Sequence, residues 1–105
     1  MRAIERVCGF DWDEGNRAKC ARHGVSTAEI EELFRGEVWI FPDPAHSLRE
    51  TRFLGIGRTL AGRHVFVAFT YRVRDGGRWL RPISARFMHE KEVRHYQEEV
   101  ARREE

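Results

Sequence analysis

Residues 78–87 read RWLRPISARF: three arginines spread through a run that alternates like a β-strand. A guanidinium presents two parallel donors to a phosphate, so arginines at alternate positions of a strand can line up on an anion. A second cluster lies upstream in PDPAHSLRETR, where His46 precedes Glu50 and Arg52. In an extended chain Glu50 and Arg52 point the same way, because side chains of a strand repeat every two residues. His46 is the histidine best placed for acid/base work, with a carboxylate and a cation close to it in sequence.

The remaining chemistry-bearing residues are less organised. His23, His46, His64, His89 and His95 show no metal-ligand spacing, and no H-E-x-x-H occurs. No metal and no cofactor is expected. Cys8 and Cys20 have eleven residues between them and no second pair, which suits two buried or half-buried free thiols in a reducing compartment. Gly55 and Gly57 in FLGIGR match neither a dinucleotide fingerprint nor a phosphate loop. Their fit is to a bulge or to a place where backbone or nucleotide approaches closely. His23 reads as a cation at a helix C-terminus.

The elements that must position these groups are legible in the hydrophobic period. Residues 4–12 form a weak strand or extended lead-in. Asp13 is an N-cap for a helix through EGNRAKCAR, which His23-Gly24 closes. Ser26 and Glu29 make an S-x-x-E capping box with Val25 stapled to Ile30, and Ile30, Leu33 and Phe34 form the buried stripe of this second helix. The period then changes to two. VWIF, ETRFLGIGRTL, HVFVAFTYRV and RWLRPISARFM are four strands, the third bulky on both sides and therefore central. Asp75-Gly76-Gly77 turns the last hairpin. A charged helix with a narrow stripe of Val93, Tyr96 and Val100 closes the chain, its last five or so residues polar enough to fray. The order β-α-α-β-β-β-β-α with hairpin-length connections is α+β, an antiparallel sheet with helices on one face.

Strict alternation assigns the faces. In the fourth strand Ile83, Ala85 and Phe87 look inward, leaving Ser84 and Arg86 on the accessible side. In the third, Val65, Val67, Phe69 and Tyr71 oppose His64, Phe66, Ala68, Thr70 and Arg72. In the second, Glu50, Arg52, Leu54, Ile56 and Arg58 share a face. A patch of Arg86 and Ser84, with Arg72 or Arg81 and Arg52 or Arg58, is geometrically available. Cations gathered on adjacent strands repel, so they need carboxylates or a bound polyanion. The bland alternative is that each arginine is a solvated residue on the outer face of a one-sided sheet.

Composition agrees with an anionic partner. The 105 residues are 41% hydrophobic and 11% aromatic, too apolar for disorder, and their length suits one domain, residues 1–105, burying roughly 65% of its unfolded surface. The net charge of +2 hides an asymmetry: residues 1–50 carry seven basic and ten acidic groups, residues 51–105 twelve and seven. Of 19 cationic residues only Lys19 and Lys91 are lysines, which suits phosphate recognition and equally a GC-rich genome. No apolar run reaches the roughly 20 residues of a membrane span, and MRAIERVCGF lacks a signal peptide's apolar block. A cytoplasmic protein is expected.

Three stretches, FDWDEGNRAKCARHGVS, FPDPAHSLRETRFLGIGR and RPISARFMHEKEVRHY, resemble in order and spacing the BrnT family of bacterial toxins. The likeness covers residues 10–96. It rests on Asn16, Lys19, His23, Gly24 and Val25, then Glu50, Arg52, Ile56 and Gly57, then Ile83 through Arg86 with Glu92 and Tyr96. It implies a ribonuclease toxin of a type II toxin–antitoxin pair with a RelE-like α+β fold: a four- to five-stranded antiparallel sheet, two N-terminal helices on one face and a C-terminal helix. It further implies neutralisation by a BrnA-like antitoxin in a hetero-oligomer, with operator DNA reached only through that complex. Two departures stand out: Pro82 replaces the usual aliphatic residue, which suggests an edge strand or bulge, and Phe87-Met88 replace a basic and a small residue.

Under that resemblance the expected activity is metal-independent endoribonucleolytic cleavage of the mRNA interferase type. The 2′-OH attacks its own phosphate, a base takes the proton, cations neutralise the phosphorane and an acid serves the leaving 5′-oxygen. Arg52 and Arg86 would converge on that phosphate, and Glu50 or His46 would act as base or positioner. Arg58, Arg72, Arg81 and Ser84 would bind RNA, with Tyr71 or His64 stacking on or hydrogen-bonding a base. The competing readings are a non-catalytic nucleic-acid-binding module using the same patch, and a purely protein-binding partner.

Overall fold

The computed structural model describes residues 6–103, so Ile4 of the expected lead-in lies outside the described residues. Helices α1 (Glu14–Ala21) and α2 (Thr27–Arg35) precede strands β1 (Trp39–Pro42), β2 (Phe53–Arg58), β3 (His64–Arg74) and β4 (Gly77–Phe87), and helix α3 (Glu90–Arg103) follows. A short 3-10 turn, Pro44–His46, interrupts the loop between β1 and β2. The strands form one antiparallel sheet in the order β1-β2-β3-β4. The lead-in adds a single parallel bridge, Phe10 to Leu80, beside β4, with Leu80 N donating to Gly9 O and Asp11 N to Leu80 O.

Both N-terminal helices start where their caps are. Asp13 accepts from Asn16 N at 3.0 Å while Asn16 Oδ1 accepts from Asp13 N at 2.7 Å, and Ser26 and Glu29 exchange the same pair of bonds at 3.1 and 2.9 Å. The reciprocal bonds satisfy donors that a helix start leaves open. Gly24, at φ +84°, supplies the left-handed turn that ends α1 and leads into the buried Val25. Asp75 and Gly76, both at positive φ, form the two-residue turn between β3 and β4.

The core lies between α1, α2 and one face of the sheet. Ile30, Leu33 and Phe34 of α2 and Cys20 of α1 pack with Val65, Val67 and Phe69 of β3 and Leu80 and Ala85 of β4. Each fully buried aliphatic or aromatic side chain contributes roughly 1.5–3 kcal/mol. Gly55 and Gly57 let α2 descend onto the sheet: a Cβ on Gly57 would stand 2.8 Å from Leu33 Cγ, and one on Gly55 3.1 Å from the Phe34 ring. The glycines therefore serve helix packing. Cys20 is buried as expected, whereas Cys8 is exposed at the lead-in.

Strict alternation fails in β4. Ala68 pairs with Ser84 but Phe69 pairs with Pro82, so Ile83 is an extra residue, a β-bulge. Leu80, Pro82 and Ala85 are the buried positions, in place of the expected inward row that began at Ile83. Pro82 has no N–H to give the ladder, and its carbonyl is taken by Asn16 Nδ2 at 2.8 Å in a buried hydrogen bond. Asn16 Nδ2 also donates to Asp11 O at 2.9 Å, so the carboxamide joins α1, the lead-in and the bulge.

Helix α3 lies on the opposite face from α1 and α2. Its contacts are Tyr96 against the His64 ring, Glu92 on Arg86 and Arg103 over the Phe41 ring. No residue of it is buried; Val93, Tyr96 and Val100 are half-buried, and the helix runs to Arg103, with residues 104–105 of the polar end outside the described residues. No described helix is long and apolar enough to cross a membrane.

Asn16→Ala should lower stability by about 2–3 kcal/mol, since it removes a cap and leaves the buried Pro82 carbonyl unpaired. Urea denaturation of the variant beside Lys19→Ala, an exposed neighbour, checks this; equal midpoints would show that the clamp contributes nothing.

Candidate functional site

The sheet face away from α1 and α2 gathers most of the groups singled out in the sequence. Its rows follow from the register: Arg58 pairs with His64; Trp39, Ile56, Phe66 and Arg86 form one row; Phe41, Leu54, Ala68 and Ser84 the next. Beyond them Thr70 pairs with Arg81 and Arg72 with Trp79, with Arg52 and Glu50 entering from the loop before β2. The bulge brings Arg81 and Arg86 to the same side although five residues, an odd number, separate them.

The face has two poles. At the first, Glu50 lies between two arginines, 3.2 Å from Arg72 and 3.8 Å from Arg52. His46, Arg49, Glu50 and Arg52 line a depression of about 480 Å³ there, with Ala45 and the exposed Leu48. His46 Nδ1 is 3.1 Å from Asp43. Arg52 Nε is buried and has no hydrogen-bond partner among the described residues. Since Glu50 stands beyond hydrogen-bond range, Arg52 retains unused donors.

At the second pole Arg86 lies over the Phe66 ring, 4.6 Å from its centroid, and is gripped by Glu92 of α3 through two bonds of 2.8 and 2.7 Å. Such a bidentate pair is the strong form of an ion pair. Arg86 Nη1 also donates to the Phe87 carbonyl at 3.4 Å, and the side chain as a whole remains 40% exposed. Hydrogen bonds from Arg86 and from the His89 amide hold the Glu92 carboxyl down at about 2, and Glu92 in turn raises Arg86 above its ordinary value. Ser84 shares a depression of about 380 Å³ with Arg86, Phe66, Ala68, Leu54 and His23.

Arg52 and Arg86 thus share one face but do not converge on one spot. Their Cα atoms are four residues apart along the strands and two strands apart across them, roughly 16 Å in all. Arg81 is drawn to Asp13 at 2.9 Å and Asp11 at 3.6 Å, at the β4 edge. A backbone hydrogen bond from Asn16, then Arg81, lowers the Asp13 carboxyl. His64 is covered by Tyr96, and burial followed by the Arg58 charge lowers its pKa.

Tyr71 does not join this face. It packs on the helix side against Phe53 and Phe69, under the Arg78 guanidinium, and burial raises its phenol. Two residues the sequence reading left out of the site stand beside Arg86: Glu92 and His23. Both stood among the residues that carry the BrnT likeness, which was the available signal; their approach to Arg86 was not visible, since it depends on how α1 and α3 pack against β4.

Among the described residues no group of three or more His, Cys, Asp or Glu stands together as a metal site. Compared with known proteins, the model of a family described as "Ribonuclease toxin, BrnT, of type II toxin-antitoxin system" matches residues 12–92. No curated protein and no solved structure matches the chain.

The depressed Glu92 carboxyl makes the α3 contact acid-sensitive. A folded pKa of about 2 against an ordinary 4.5 means that the stabilisation is full above about pH 4.5 and is lost as pH falls toward 2. Glu92 is about a third exposed, so solvent screens the pair and the effect is modest. Urea midpoints of wild type and Glu92→Gln should differ at pH 7 and draw together by pH 2.5; a gap independent of pH would place the effect elsewhere.

Proposed function

The chain belongs to the BrnT family, ribonuclease toxins of type II toxin–antitoxin systems, and on that premise we propose that its outer sheet face binds and cuts single-stranded RNA without a metal ion. One observation carries this reading: Arg52, Arg72 and Arg86 project from the side of the sheet away from the core helices, with Arg81 at its edge, where it reaches Asp11 and Asp13 at the start of α1. Like charges on neighbouring strands cost stability, and a polyanion laid across them recovers it.

The two poles divide the work. The scissile phosphate sits at Arg86 and Ser84, where one guanidinium is immobilised by Glu92 and Phe66 and so needs little reorganisation when charge develops on the phosphorane. Arg52 and Arg72, spaced by Glu50, take a phosphate further along the strand, with Arg58 and Arg81 at the margins. Glu50 serves as a positioner of the two cations. His46 stays at the lip of that pole, and His64 beside Arg58 can contact a base. Attack by the 2′-OH leaves a 2′,3′-cyclic phosphate, and the scheme uses guanidinium charge where other nucleases use metal ions.

A type II system supplies an antitoxin protein, and the BrnT likeness points to a BrnA-like one carrying a DNA-binding domain, so that the complex reaches operator DNA through the antitoxin. The mRNA interferase mode and a cytoplasmic setting belong to the same proposal.

Arg86→Ala should cut RNA cleavage ~100-fold or more, about 3 kcal/mol of barrier, and abolish growth arrest, while the protein still unfolds cooperatively at a midpoint no lower than that of Glu92→Gln and still binds antitoxin. Labelled RNA incubated in EDTA, with its ends analysed, measures this. A salt-sensitive shift without new cyclic-phosphate ends would instead identify a binding module.

A further inference from the structure

Helix α1 ends beside the Arg86 pole. Asn16 fixes the helix to the Pro82 carbonyl, and from there both chains run toward the same end of the sheet: seven residues of helix to His23 cover roughly 10 Å, four residues of strand to Arg86 roughly 13 Å. Gly24, in its left-handed conformation, then turns the chain away, which leaves His23 exposed at the β4 edge. There it lines two depressions that both touch Arg86. One holds Ser84, Phe66, Ala68 and Leu54 on the outer face; the other, of about 410 Å³, holds Arg63, Phe87, Met88 and His89 around the edge. No carboxylate lines either depression.

The other histidines are placed differently. His46 is at the far pole beside Asp43, His64 is covered by Tyr96, His95 lines the groove beneath α3, and His89 borders only the edge depression. His23 therefore combines an imidazole, solvent access and a shared surface with both Arg86 and Ser84.

We infer that His23 is a catalytic residue, the base that takes the proton of the attacking 2′-hydroxyl while Arg86 holds the phosphate. This rests on the ribonuclease reading of the Arg86 pole. In the step, the 2′-oxygen to phosphorus bond forms, the bond from phosphorus to the 5′-oxygen breaks, the 2′-proton passes to the imidazole and the leaving 5′-oxygen takes a proton from solvent. The charged and titratable groups around His23 are Arg86 from β4, Arg63 from the turn before β3 and His89 just ahead of α3, with Lys19 of α1 and Arg22 before it in the chain and with Glu92 of α3 bound to Arg86. Apart from Glu92, none of these carries a carboxylate, and His89, the other imidazole among them, does not line the depression that holds Ser84.

The test compares wild type, His23→Ala, His23→Gln and Arg86→Ala on labelled RNA in EDTA from pH 5 to 8.5, with RNA affinity and thermal unfolding measured in parallel. A base must be neutral to act, so the wild-type rate should rise with pH and then level. Both His23 variants should lose ~100-fold or more and lose that rise, while RNA affinity and unfolding stay near wild type, and added imidazole should restore part of the His23→Ala rate. His23 variants that cleave within about 3-fold of wild type, or that slow while keeping the pH rise, would overturn the assignment and leave the ribonuclease reading standing. Wild type that releases no cyclic-phosphate ends, and so equals Arg86→Ala, would overturn both.

Discussion

The hydrogen bond from the Asn16 carboxamide to the Pro82 carbonyl sits where three requirements of this molecule meet. It anchors α1 to the sheet, it satisfies a carbonyl at a break in the β3–β4 ladder, and it fixes the end of α1 near Arg86. A buried hydrogen bond is worth only about 1 kcal/mol net, but leaving its acceptor bare costs more, so the contact specifies geometry more than it adds stability. The bulge beside it decides direction. With Ile83 extra, Leu80 and Pro82 enter the core together with Ala85, and Arg81 is turned to the side that Arg86 occupies.

That choice concentrates charge, and the fold manages it with carboxylates set at the margins. Glu50 lies between Arg52 and Arg72, Asp11 and Asp13 flank Arg81, and Glu92 grips Arg86. Each pair is partly exposed, so its contribution to stability is small, and its effect is to hold a guanidinium in place. Leu54, Ala68 and Ser84 form a neutral saddle between the poles. An extended polyanion can cross such a surface, touching cations at both ends, whereas a small anion would engage one pole.

Helix α3 is held by a different kind of force from α1 and α2. The N-terminal helices bury apolar side chains against Gly55, Gly57 and β3, while no residue of α3 is fully buried and the helix leans on the Glu92–Arg86 pair and on ring contacts of Tyr96 and Arg103 over a groove of about 490 Å³. Elements with few buried apolar contacts lie at the low-stability end of a fold. The candidate site thus lies on the outer face of the sheet, opposite the well-packed helices, and is bordered by the least anchored element.

The sequence alone determined what local rules govern. Capping boxes at Asp13 and Ser26, the α2 stripe, the period-two strands, the turn at Asp75-Gly76 and the outward side of β2 and β3 were all legible, because each depends on residues within a few positions of one another. The motifs of the BrnT family were legible for the same reason. Tertiary structure decided the rest. Pro82 signalled a break in β4 but could not say which residue would be extra, since the bulge is settled by Phe69 and Asn16 from distant elements. The side taken by α3, the separation of Arg52 from Arg86, the place of Tyr71 among Phe53 and Phe69, and the approach of His23 to Arg86 are long-range outcomes of packing, and no spacing within one segment encodes them.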